Sequence, residues 1–177
     1  RAHRVGRRVN VPPVVFGDTL IASSLSGQVV ALHAASGSLI WSRLLLDGLG
    51  AIPALQDGRV YMAGLDQHLR CISLETGRPI WTALLTSPLK TPPAVLNDTV
   101  YQLIPVEGLS AWEAAPQDAP EGRQLWTSDA VHGAVISSLS DRLLTWDPAN
   151  GVLATASPTT GALDSAMTLT PGTRVLS

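Results

Sequence analysis

The residues of this 177-residue chain that are equipped for chemistry do not stand in the patterns chemistry needs. His33, His68 and His132 lie apart from one another and from any carboxylate at metal-ligand spacing. A His-Glu-x-x-His helix is therefore absent. Neither a Gly-x-Ser-x-Gly nucleophile elbow nor a Gly-x-x-x-x-Gly-Lys phosphate loop occurs. Cys71 is the single cysteine, which excludes an internal disulfide and any zinc site built from several thiolates. It falls between Arg70 and Ile72 in a predicted strand, the setting of a buried, inert thiol. Asp18, Asp57, Asp66, Asp98 and Asp141 all coincide with predicted hairpin turns, where a short carboxylate bonds to nearby backbone. The reading is of a chain with no catalytic residue and no metal site of its own.

Composition narrows the classes further. Apolar residues make up 45% and charged ones 15%, enough for a large core and against disorder. A net charge of −2 leaves no electrostatic footprint for nucleic acid or an anionic membrane. The one basic cluster, Arg1, Arg4, Arg7 and Arg8, reads as a solvated strand edge. No apolar run approaches the ~18 residues of a membrane span. The segment carries no signal peptide, and because it opens on Arg a native N-terminus further upstream is expected. Tryptophan supplies five aromatic residues against two Tyr and one Phe, so its placement carries information.

That placement is periodic. Gly37-Ser38-Leu39-Ile40-Trp41 recurs as Gly77-Arg78-Pro79-Ile80-Trp81 and again as Gly122-Arg123-Gln124-Leu125-Trp126. The first interval is 40 residues, and the second is 45 because an insertion sits around Pro116–Glu121. Pro13, Pro53 and Pro93 keep the same period, as do Asp18, Gly58 and Asp98. A fourth copy appears when the 17 residues Ile21–Gly37 are laid without a gap on Val135–Gly151. This alignment puts Thr155 where the Trp would be. A fifth copy is expected to start near Ala166, turn at Pro171-Gly172 and stop at Ser177.

Each repeat divides into four short apolar runs separated by turn residues, which predicts four antiparallel strands. Asp57-Gly58 and Asn97-Asp98 tolerate the positive φ of tight hairpins. A sheet this small cannot bury both faces alone, so it stacks on copies of itself. The expected fold is therefore all-β, a β-propeller of four-stranded antiparallel blades. The blades are placed at about residues 12–48, 52–88, 92–129 and 130–158, with partial blades at 1–11 and 164–177. These ends either combine to close a small ring or, as we expect, belong to a larger propeller of seven or eight blades.

The repeat resembles the pyrroloquinoline-quinone (PQQ) type, or tryptophan-docking, blade. The matching residues are Ala31-Leu32-His33, Ser36-Gly37 and Trp41, then Cys71-Ile72-Ser73, Thr76-Gly77 and Trp81, then Ala111-Trp112-Glu113, Gly122 and Trp126. The family's Asp is replaced by His33, Ser73 and Glu113, with Asp147 alone matching. The resemblance implies that Trp41, Trp81 and Trp126 pack on the neighbouring blade beside its Gly turn, as structural residues. It also implies three functions. A BamB-like propeller is a non-catalytic scaffold of the bacterial cell envelope that meets protein partners through its loops and needs no cofactor. A quinoprotein alcohol dehydrogenase holds PQQ on its axis and Ca²⁺ with Glu, Asn and Asp; no such cluster and no adjacent cysteine pair occurs here. A sensor propeller of a bacterial Ser/Thr kinase is the third. The scaffold reading is preferred, with a periplasmic or otherwise extracytoplasmic location. Its candidate contact is the insertion, where Pro116, Gln117, Asp118, Pro120 and Glu121 are expected to project.

Overall fold

The computed structural model describes residues 9–24 and 26–169, and these contain strands and turns but no helix. Four antiparallel sheets follow one another along the chain, each of four strands in sequence order. The first joins β1 (Val9–Phe16), β2 (Thr19–Ser24), β3 (Gln28–His33) and β4 (Leu39–Leu44). The second joins β5 (Ala54–Gln56), β6 (Arg59–Ala63), β7 (His68–Ser73) and β8 (Pro79–Leu84). The third joins β9 (Ala94–Leu96), β10 (Thr99–Ile104), β11 (Gly108–Glu113) and β12 (Gln124–Ser128). The fourth joins β13 (Ala134–Leu139), β14 (Arg142–Asp147), β15 (Val152–Ala156) and β16 (Leu163–Thr168). β5 touches β9, and β9 touches β13, so first strands meet first strands from the second blade to the fourth. The fold is thus the expected arrangement of propeller blades.

Local chemistry explains the hairpins. Asp57 and Gly58 take φ of 49° and 69°, and Asn97 and Asp98 take 46° and 61°. Two successive positive φ angles form the tight turn whose twist suits antiparallel strands, and Asp, Asn and Gly accept that conformation most readily.

The core lies between blades and not inside any one of them. Ile21, Val29, Ala31 and Trp41 of the first blade pack with Val60, Met62 and Ile72 of the second. Tyr61, Leu69, Cys71 and Trp81 of the second pack with Val100, Ile104 and Trp112 of the third. Tyr101, Leu109 and Ala111 meet Leu143 and Ala156 of the fourth. Each alternating face finds its apolar partner on the next repeat, which is how a stack buries what a single sheet leaves wet.

The fourth blade corrects the sequence alignment by one hairpin. β13 and β14 are its first and second strands, whereas the alignment of Ile21–Gly37 on Val135–Gly151 makes them second and third. The turn that ends the third strand contains Gly161, whose amide donates to Ser157 O at 2.9 Å. Gly37 to His33 and Gly77 to Ser73 close the same turn, both at 2.8 Å. Ser165, and not Thr155, therefore holds the position of the missing Trp. The run expected to open a further repeat at Ala166 instead belongs to β16, paired with β15. Likewise Val9–Val11 is part of β1, paired with β2, and does not close a preceding blade. The Arg1, Arg4, Arg7 and Arg8 cluster and the Pro171-Gly172 turn lie outside the described residues.

Candidate functional site

The repeating Trp and Gly residues meet across the seams. The Trp41 indole Nε1 donates to Leu74 O at 2.7 Å. Its ring lies so close to Gly77 that a Cβ there would come within 2.6 Å of Trp41 Cδ2. Trp81 Nε1 donates to Ala114 O at 3.1 Å, with its ring over Gly122. Trp126 Nε1 donates to Pro158 O at 3.0 Å, with its ring over Gly161. Each of these glycines has a φ between 66° and 80°, so the turn needs glycine twice, for its backbone and for the ring above it. Gly37 closes the corresponding turn of the first blade at φ 67°.

Two further residues of these seams escape the sequence reading. Tyr61 Oη donates to Ala114 O, the same carbonyl that Trp81 uses, at 3.3 Å. Tyr101 Oη likewise joins Trp126 on Pro158 O, at 3.4 Å. The signal was present, since Tyr61 and Tyr101 are 40 residues apart and are the chain's only two tyrosines. Arg43 adds a polar tie at the first seam, its Nε donating to Gly77 O at 2.7 Å.

The insertion does not simply project. Gln117, Asp118, Pro120 and Glu121 are exposed and Pro116 is half-buried. Yet the loop folds back on the second blade, where the Thr82 amide donates to Pro120 O at 2.8 Å. Arg123 fastens its base, donating to Glu113 Oε2 at 2.9 Å and to Gln117 O at 3.2 Å. One backbone bond, from Thr82 to Pro120, sets the segment against the edge of β8.

The groups able to do chemistry are committed locally. Asp147 accepts from Asn150 Nδ2 at 2.7 Å and from the amides of Ala149 and Asn150. The Asn150 bond, those backbone donors and nearby His132 hold its carboxyl below the usual carboxylate value. Among the described residues, no three of His, Cys, Asp and Glu come together as a metal site. The Asp147–Asn150 pair offers two of the residue types of a quinoprotein calcium site. Its carboxylate is already spent on closing a turn, so these residues do not fit that group.

Cys71 is fully buried, and burial pushes its thiol up to about 12. The folded protein should therefore resist a thiol reagent at pH 8, with labelling at Cys71 appearing only along the unfolding transition. Rapid labelling of the native protein, followed by mass spectrometry, would contradict this.

The turn between β6 and β7 holds a half-enclosed ion pair. Arg70 donates to both Asp66 oxygens, at 2.8 and 2.5 Å. Burial pushes the Asp66 carboxyl up, but the Arg70 guanidinium, with help from His68, brings it below its ordinary value. A depressed folded value means that the pair's stabilisation is complete above the unfolded Asp value near ~3.9 and is lost as pH falls through the folded one. Asp66→Asn should cost about 2 kcal/mol at pH 7. In urea unfolding across a pH series, the gap from wild type should shrink from about pH 4 downward.

Four-stranded antiparallel blades, joined by a Trp of one docked on the Gly turn of the next, define a β-propeller of the PQQ-repeat type. The chain belongs to the family described as outer membrane protein assembly factor BamB, whose model matches residues 2–91 and 25–174. BamB of Francisella salina is 24% identical over 76 residues, which is 42% of this chain and 14% of that protein. BamB of Moraxella catarrhalis superposes with a TM-score of 0.76 at 18% identity, over 89% of this chain and 48% of that one. A quinohemoprotein alcohol dehydrogenase of Pseudomonas putida superposes with a TM-score of 0.67 at 17% identity, over 96% of this chain and 35% of that one. The chain thus spans about half or less of the length of these relatives, and at such identities the structural likeness establishes the fold. No helix among the described residues is long and apolar enough to cross a membrane.

Proposed function

We propose that this propeller segment is a non-catalytic scaffold of the bacterial cell envelope, where its inter-strand loops and outer edges engage protein partners. The observation that carries the reading is where the repeated residues are spent. Trp41, Trp81 and Trp126, with the glycines they cover, join blade to blade, and Tyr61 and Tyr101 reinforce the same bonds. Faces committed to packing leave recognition to loops and strand edges. Membership of the BamB family supports an extracytoplasmic location and a protein partner. On this reading Pro116, Gln117, Asp118, Pro120 and Glu121 line one contact, with the loop pre-ordered by its bond to Thr82.

A photo-crosslinking residue at position 118 tests the proposal in envelope preparations. The expected result is a discrete covalent adduct with an outer-membrane assembly protein, absent when the crosslinker is placed at buried Leu69. Titration with PQQ and Ca²⁺ is the companion experiment. Saturable binding with a bound-quinone absorbance, and no adduct, would overturn the scaffold in favour of a quinoprotein.

A further inference from the structure

The insertion in the third blade reveals how an outer blade edge receives a segment of chain. Thr82 lies opposite Arg70 in the β7–β8 pair, and its amide points away from β7 to donate to Pro120 O. Forty residues earlier, Ser42 lies opposite Val30 in the β3–β4 pair, in the same register. In that register its amide faces outward in the same way, and among the described residues no backbone carbonyl outside the strand ladders accepts from it. The reason is length. The turn Ser73–Arg78 that crosses this first seam is short and has no insertion to reach back along β4.

Beside that open edge lies a cleft of about 350 Å³ between the first and second blades. Ile40, two residues from Ser42, and Leu74 give it apolar walls, and Thr19, His33, Ser73 and Glu75 give it a polar rim. Glu75 is exposed and forms no ion pair among the described residues. In the second seam the position of Glu75 is taken by Ala115, where the insertion begins.

We propose that the first seam binds an extended peptide segment of a protein partner, laid along β4 as the insertion lies along β8. The segment's backbone carbonyl accepts from the Ser42 amide, a proline or other small apolar residue sits on Ile40 and Leu74, and a Lys or Arg meets Glu75. Main-chain bonds to a free strand edge supply affinity, and the flanking pocket and charge supply selectivity. This rests on the scaffold reading and gives it a partner class.

The probes are two fluorescent heptapeptides with the sequence of residues 115–121, one unaltered and one carrying Asp118→Lys and Glu121→Lys. The basic peptide should bind the 177-residue chain saturably and shift the Ser42 amide resonance, with the acidic peptide weaker. Ser42→Pro removes the donor and should weaken binding about tenfold, a change the outward-facing edge position tolerates. Glu75→Lys, at a side chain that is exposed and forms no ion pair among the described residues, should weaken the basic peptide about fivefold and favour the acidic one. The absence of saturable binding by either peptide overturns the inference. So does binding that neither substitution changes while the melting curve stays that of wild type. With the crosslinker placed at position 42 instead of 118, an adduct whose yield Glu75→Lys leaves unchanged sinks this site and leaves the scaffold standing. Loss of every adduct from the unaltered chain sinks the scaffold itself.

Discussion

Replacing Trp81 with Ala lowers the unfolding free energy by about 3–5 kcal/mol, the largest loss expected at any single side chain here. The Trp81 side chain is 1% exposed and sits between two other rings. Its centroid lies 6.4 Å from that of Trp112, nearly parallel at 16°, and 6.2 Å from that of tilted Tyr61. Removing the indole empties the seam that the second and third blades share. The lost hydrogen bond is the smaller part of the effect, because Tyr61 still donates to Ala114 O. Trp81→Phe restores an aromatic body without the donor and should recover most of the packing. Trp126→Ala should cost less, because Trp126 is only half-buried. Urea unfolding of the three variants checks the order, and a loss below about 1 kcal/mol for Trp81→Ala would contradict this account of the seam.

Alanine at the seam glycines should be graded by the ring above each one. Gly58 takes φ 69° with nothing within 4 Å of a built Cβ, so Gly58→Ala meets only the left-handed backbone cost of roughly 1–2 kcal/mol. Gly122→Ala adds a Cβ 3.1 Å from Trp81 Cε3, a contact the ring can relieve by a small shift. Gly77→Ala and Gly161→Ala place it 2.6 Å from Trp41 and 2.5 Å from Trp126. These two changes must displace a docked indole and should cost about 3 kcal/mol or more. The expected order of loss is Gly58, Gly122, then Gly77 and Gly161 together. Equal losses at all four would mean that backbone conformation, and not the ring, sets the requirement for glycine.

The seams were legible because they repeat. A Gly and a Trp held four residues apart, three times, point to a contact that every blade must make. The fourth blade was misread because that pair is broken there. Ser165 replaces the Trp, and the Ser-Ser-Leu-Ser run at 137–140 copies residues 23–26 so well that the alignment slips by one hairpin. Gly151 and Gly161 both close turns, and what separates them is that Trp126 of the previous blade rests on Gly161. That contact joins residues 35 positions apart in sequence, and its Trp lies outside the fourth repeat. One clue was available: Ser157, Thr160 and Gly161 reproduce the spacing of Ser73, Thr76 and Gly77. The insertion was found from its length and proline content. Its return to Thr82 was hidden, because the choice between projecting and folding back depends on an edge amide supplied by another blade.

The central claim, that one blade's Trp is locked onto the next blade's Gly turn, is tested most directly by a double-mutant cycle on Trp41 and Gly77. The measurement is the stability cost of Gly77→Ala, once in the wild-type background and once in Trp41→Ala. With the indole removed, the cost should fall to that of Gly58→Ala, giving a coupling of at least about 1 kcal/mol. The same cost in both backgrounds would mean that Trp41 and Gly77 act independently, and the docked seam would be the wrong description of how these blades hold together.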